Sequence, residues 1–259
     1  MDARGTDRLF GWLLVLLIAA GAFFGLAPFL APGLFASTTG FKGTDVFMYR
    51  LAGAATFGYA VGLLVGFRAG WMALRIPIAA TFVFNACSIA ACAVAIADGT
   101  QPIVFVILAA SIVFTAATGY FLVRPPEDRW RADEARIASW VSGLFAVGVL
   151  AAAIFGLAPL ILGGAFGHAL GYSGDDDFVY RQGGAATVGA AAGGLLVLLS
   201  GRWARARIPA LMALTFNTLS FVASWLELAA GGQPIAWLIL AASALVTVGM
   251  GAALMRGGG

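Results

Sequence analysis

The chain is short of charge and of the side chains that carry acid–base and metal chemistry. Of its 259 residues only 10% are Asp, Glu, Lys or Arg, and it holds one histidine and two cysteines, where a soluble domain carries roughly 25% charged residues. With His168 alone, neither bis-histidine haem ligation nor a histidine-rich zinc site can be assembled. Cys87 and Cys92, five positions apart on one apolar run, fall on different faces of a helix and read as small apolar packers rather than a disulfide or redox pair. No ionisable group lies deep in any apolar run, so a proton relay through a membrane lacks carriers. There is no phosphate-binding glycine loop, no Ser-His-Asp set and no metalloprotease pattern. Metal and enzyme chemistry therefore rank low.

Long hydrophobic runs make up most of the rest. Apolar residues reach 61% and the mean hydropathy is +0.96, which identifies an integral membrane protein. A spanning helix needs about 20 apolar residues, because lipid offers no partner to an open backbone group. Eight runs qualify, near Phe10–Leu30, Phe47–Gly66, Ile76–Ala97, Pro102–Val123, Ser139–Leu162, Phe178–Leu199, Ile208–Ala229 and Pro234–Met255. They are apolar on all sides rather than alternating, so the expected fold is an all-α integral membrane protein rather than a β-barrel.

The same words recur in both halves. Phe24-Gly25-Leu26-Ala27-Pro28 returns as Phe155-Gly156-Leu157-Ala158-Pro159, and Phe47-Met48-Tyr49-Arg50 as Phe178-Val179-Tyr180-Arg181, both 131 positions on. The offset then becomes 132: Arg75-Ile76-Pro77 matches Arg207-Ile208-Pro209, Phe84-Asn85 matches Phe216-Asn217, and Gln101-Pro102 matches Gln233-Pro234. The reading is two tandem repeats of four helices, residues 1–123 and 138–259, joined by a polar linker at 124–137. Four spans per repeat make the repeats parallel, with a pseudo-twofold axis along the membrane normal. The duplication also argues that the first run is a span rather than a signal peptide, despite Arg4 and Arg8 before it, because its counterpart is internal.

Basic residues set the expected orientation. On the face that holds both termini lie Arg4, Arg8, Arg68, Arg75, Arg124, Arg129, Arg131, Arg136, Arg202, Arg205, Arg207 and Arg256; on the other lie only Lys42, Arg50 and Arg181. Both termini are expected in the cytoplasm, with the chain in a cell (inner) membrane. The net charge of +3 is then a topology signal with anionic headgroups as its partners, and nucleic acid is not implied.

Each half has a longer outer loop after its first helix, an arginine followed by glycines opening the second, and a Gly-x-Gln-Pro turn before the fourth. In outline this resembles small four-helix membrane proteins of the DoxX-like kind. No function is carried over from that resemblance.

Arg50 and Arg181 place a cation in the first turn of the second and sixth helices on the outer face, against the helix dipole. Ion pairs with carboxylates at neighbouring helix ends would offset this, Arg50 with Asp98 and Arg181 with Glu227. The alternative is an anionic headgroup or carboxylate ligand, which the guanidinium fork suits. Asp45 and Asp176 are spaced to cap those helices, and the extra charge of Asp175-Asp176-Asp177 in one half alone makes a symmetric cation site improbable. Tyr49 and Tyr180 fit the water–lipid boundary. Asn85 and Asn217 lie mid-membrane with Ser88 and Ser220 one turn on, either as interhelical hydrogen-bonding groups or as the polar lining of a path. Gly53-Ala54-Ala55 and Gly184-Ala185-Ala186 mark close helix contacts.

The first functional expectation is a non-catalytic membrane protein: a scaffold or accessory subunit of a membrane complex, with other membrane subunits as partners, or a binder of lipid or a hydrophobic ligand. The alternative is a transporter or channel for a small solute, its axial path lined by Asn85 and Asn217. An outer-surface enzyme using Arg50, Arg181 and nearby carboxylates ranks last. Ligand and cofactor are not named by the sequence.

Overall fold

A computed structural model describes residues 3–99, 101–126 and 135–257, with side chains from Asp7 onward. Among these residues the chain is helical with no strand: α1 (Ala3–Leu30), α2 (Pro32–Thr39), α3 (Val46–Gly66), α4 (Trp71–Ala97), α5 (Pro102–Val123), α6 (Ser139–Leu162), α7 (Gly164–Ala169), α8 (Asp177–Ser200), α9 (Trp203–Ala229) and α10 (Ile235–Met255). Eight of them, all but the short α2 and α7, are long and apolar enough to cross a membrane. The middle of the expected linker, 127–134, lies outside the described residues, as do Arg129 and Arg131 and the side chain of Arg4. The described end of the linker pairs with the α8–α9 turn: Ile137 N–H donates to Gly201 O at 3.1 Å and Trp203 N–H to Ala135 O at 2.9 Å.

Helices α4 and α9 begin five residues earlier than their apolar runs suggest, and Pro77 and Pro209 lie inside them. Packing supplies what propensity withholds here. Trp71 and Leu74 are buried against Phe10 and Phe121, and Trp203 and Ala206 against Val141 and Phe145. That burial extends each helix back by more than a turn through a charged stretch.

The helix contacts form a closed circuit. α1 packs on α3, α3 on α9, α9 on α10, α10 on α6, α6 on α8, α8 on α4, α4 on α5, and α5 returns to α1; α3 also meets α8, and α4 meets α9, inside the circuit. Thus α3 and α4, consecutive in the chain, touch each other far less than they touch α9 and α8. Glycine explains the choice of neighbour. A Cβ on Gly53 would lie 2.5 Å from Gly25 O, and one on Gly184 2.7 Å from Gly156 O, so α1–α3 and α6–α8 come into backbone contact. At the crossed pairs, a Cβ on Gly58 would stand 3.0 Å from Met212 O and one on Gly189 2.7 Å from Ala80 O. In lipid, where hydrophobic burial does not drive helix against helix, such close approach is a main source of attraction. α6 and α10 are the least buried spans, and their large apolar side chains, among them Leu150, Ile161, Trp237 and Val248, point outward.

Candidate functional site

Two features emerge: a hydrogen-bonded clamp at one end of the bundle, and a pair of unequal cavities within it.

The clamp is built from the loops before α3 and α8. Asp45 Oδ1 accepts from the N–H groups of Phe47 (2.9 Å) and Met48 (3.2 Å), and Asp176 Oδ1 from that of Phe178 (3.0 Å), so both aspartates cap their helices. Each carboxylate also reaches the other half of the chain. Gln101 Nε2 donates to Asp176 at 3.0 Å, while Gln233 Nε2 donates to Asp45 at 3.1 Å. The glutamine carbonyls accept backbone N–H groups of the adjacent loops, Gln101 from Lys42 at 3.1 Å and Gln233 from Ser173 at 3.3 Å. Asp176 accepts further from Gly43 N–H at 3.1 Å. Gly43 and Gly174 leave room for this crossing, since a Cβ would come within 2.7 Å of Asp176 Cβ and 2.9 Å of Asp45 Cβ respectively. The hydroxyls of Tyr49 and Tyr180 lie beside these glycines, and both tyrosines are buried. Tyr172 stacks on Phe47 with ring centroids 6.0 Å apart; burial first, then Tyr180 and Asp45 nearby, push its phenol above the ordinary value.

The expected ion pairs do not form among the described residues. Arg181 Nη1 donates to Leu160 O at 2.8 Å and Ile161 O at 2.6 Å, the open last-turn carbonyls of α6. The negative end of that helix offsets the cation. Its ion-pair partner is Asp177, at 4.0 Å one turn away, rather than Glu227. Asp177 Oδ1 in turn accepts from Gly164 N–H at 2.8 Å. Glu227 folds back on its own turn, accepting from Gln233 N–H at 3.1 Å, and Asp98 is exposed. Arg50 has Val46 where Arg181 has Asp177, and its Nε is buried without a hydrogen-bond partner. Asp176 and Asp177 of the aspartate triplet are thus engaged by the protein itself.

The larger cavity, about 370 Å³, lies between α3, α4, α6, α8, α9 and α10; the smaller, about 140 Å³, lies between α1, α3, α4, α5 and α8. Neither is lined by any ionisable Asp, Glu, His, Lys or Arg side chain. Asn217 and Ser220 line the larger, Asn85 and Ser88 the smaller. The two asparagines thus border different cavities instead of one axial path. Both amides also donate to the carbonyl four residues back, Thr81 O and Ala213 O, at 2.8 Å. Tyr59 borders both cavities, and its hydroxyl donates to Ala186 O at 2.7 Å across the centre.

The size difference follows from positions 131 or 132 apart. Leu17, Leu63 and Phe114 of the smaller cavity are Gly148, Gly194 and Val246 in the larger. Polar wiring differs as well. In the smaller cavity Ser111 Oγ donates to Ser88 Oγ at 3.0 Å, and Ser88 Oγ to Gln182 Oε1 at 2.8 Å. In the larger, Leu51 stands where Gln182 stands, Ser243 Oγ turns to Leu240 O at 3.1 Å, and Ser220 Oγ is buried without a partner. Sequence reasoning did not single out Gln182 or Tyr59; the available signal was that each breaks the register, against Leu51 and Ala190. No protein-family model matches the chain, no match is found among curated proteins or solved structures, and the outline resemblance to DoxX-like proteins therefore assigns no family.

Proposed function

We propose that this multi-pass membrane protein binds a lipid or comparable hydrophobic molecule in the larger cavity and performs no catalysis on it. The observation that carries this is the cavity itself: about 370 Å³, mostly apolar, with Asn217, Ser220 and Ser243 among the few polar groups in its lining. That volume is within the ~300–1,000 Å³ usual for small-molecule sites. A solute path would want a continuous polar lining, whereas the two asparagines border different cavities and each gives one amide N–H to its own helix.

The arrangement around the site fits two parallel repeats about a pseudo-twofold axis. Supporting it are the exchange of Gln101 and Gln233 between Asp176 and Asp45 and the crossed contacts of α3 with α9 and of α4 with α8. The basic-residue bias supports an inner-membrane orientation with both termini in the cytoplasm. The outward apolar faces of α6 and α10 would serve contact with lipid or with other membrane subunits.

The test is native mass spectrometry and lipid extraction on the full chain released in mild detergent, compared with Val246→Phe, which restores the bulk of Phe114 to the larger cavity. The wild type should retain a neutral lipid-like molecule and the variant should lose it. Equal retention by both would refute the site.

A further inference from the structure

The two cavities hold the same serine in different states, and the difference specifies the missing partner. Ser88, in the smaller cavity, gives its proton to the amide oxygen of Gln182, a side chain that arrives from α8 in the other half of the sequence. Ser220, its counterpart 132 positions on, is 2% exposed, borders the larger cavity and has no hydrogen-bond partner. The residue that would supply the oxygen is Leu51, which has none. A buried hydroxyl left unpaired is unfavourable, more so where lipid surrounds the protein and water is scarce. Ser220 belongs to the lining of the larger of the two cavities, and no charged side chain lines it.

We infer that the larger cavity takes a neutral, long-chain molecule whose acceptor oxygen, carbonyl or ester in character, receives the hydrogen bond of Ser220, replacing the Gln182 oxygen that fills this role in the smaller cavity. The inference rests on the proposed ligand-binding reading. It adds one site per chain instead of two, because the smaller cavity supplies its own oxygen from within the protein. It also excludes a charged headgroup from the buried position, where nothing would neutralise it. Asn217, one turn before Ser220, has one of its two amide N–H groups on Ala213 O, whereas the Ser220 hydroxyl has no partner at all.

The experiment uses the full chain in detergent micelles and two photoreactive probes of equal length, a diazirine-bearing hexadecanoate methyl ester and the matching diazirine alkane, with labelled peptides mapped by mass spectrometry. Both should label peptides of α8, α9 and α10 around the larger cavity, the ester about fivefold more strongly, the factor one hydrogen bond provides. Ser220→Ala should lower the ester to the alkane level and leave the alkane unchanged, and Leu51→Gln, which transplants the internal oxygen, should reduce ester labelling further. An ester-to-alkane ratio unchanged by Ser220→Ala overturns the serine anchor while the cavity stands as a hydrophobic site. Absence of cavity labelling by either probe overturns the ligand-binding reading as well. Ser220→Ala removes one atom from the interior, so the ratio remains decisive even where Leu51→Gln does not assemble.

Discussion

Replacing Asp176 with alanine should be among the most damaging single changes in the protein, and its magnitude follows from what the carboxylate leaves behind. Asp176 is 7% exposed and accepts from Phe178 N–H, Gly43 N–H, Lys42 N–H and Gln101 Nε2. Loss of the cap on α8 costs about 1 kcal/mol. Lys42 N–H keeps the carbonyl of Gln101 as an acceptor, but the bonds to Gly43 and Gln101 are charge-assisted, about 1.5–3 kcal/mol each, and do not sum independently. A total near ~4 kcal/mol is expected from these contributions. At ~2–4 °C per kcal/mol for a chain of this length, that lowers the unfolding midpoint by about 10 °C. Asp45→Ala should lose about half as much on the same scale, because Gln233 Nε2 retains Ser173 Oγ as a second acceptor at 3.0 Å. The assay is thermal unfolding of the full chain in mild detergent followed by tryptophan fluorescence, with Gln101→Ala and the Asp176→Ala/Gln101→Ala pair completing a double-mutant cycle. The cycle should show at least ~1 kcal/mol of coupling. Strict additivity, or equal losses for Asp45 and Asp176, would refute the crossed clamp.

Other consequences are equally direct. Gly53→Ala puts a Cβ 2.5 Å from Gly25 O and should destabilise by about 2–3 kcal/mol as α1 and α3 separate, whereas Gly33→Ala, with nothing within 4 Å, should change the same melting curve little. Arg181→Ala opens the Leu160 and Ile161 carbonyls and should lower stability by about 2 kcal/mol; Arg50→Ala, which breaks no hydrogen bond, should stay under ~1 kcal/mol in the same assay, and parity between them would count against the α6 end as the partner of Arg181. For Tyr172 the folded phenol holds its proton above the ordinary value near 10. The unfolded phenol therefore ionises first, so this group contributes no instability below about pH 10 and lowers stability as pH rises past it. Absorbance at 295 nm should show a delayed phenolate transition whose amplitude Tyr172→Phe lowers by one residue.

Much of the scaffold was legible because its causes are local. A run of apolar residues long enough to cross a bilayer is a property of the chain alone, and all eight reappear as helices. The aspartate caps were equally readable, since Asp45 and Asp176 bond to N–H groups two or three residues away. The starts of α4 and α9 were not, because Trp71 and Trp203 extend those helices by packing on distant residues. The partners of Arg50 and Arg181 were misjudged for the same reason. Register placed carboxylates at plausible helix ends, but the open carbonyls of α6 lie closer to Arg181 than the carboxylate of Asp177, its one ion-pair partner among the described residues.

By itself the sequence determined that the chain is helical and membrane-spanning, and it marked which positions recur 131 or 132 residues apart. Those are consequences of composition and spacing, which need no knowledge of neighbours. Only the tertiary structure decided that α3 pairs with α9 and α4 with α8. All four helices are apolar on every side, and what selects a neighbour is whether a glycine meets a backbone it can touch. The same holds for the cavities: Gln182 and Leu51 are one substitution in a list of differences until folding carries Gln182 across to Ser88 and sets Leu51, which has no side-chain oxygen, in the lining of the cavity that Ser220 borders.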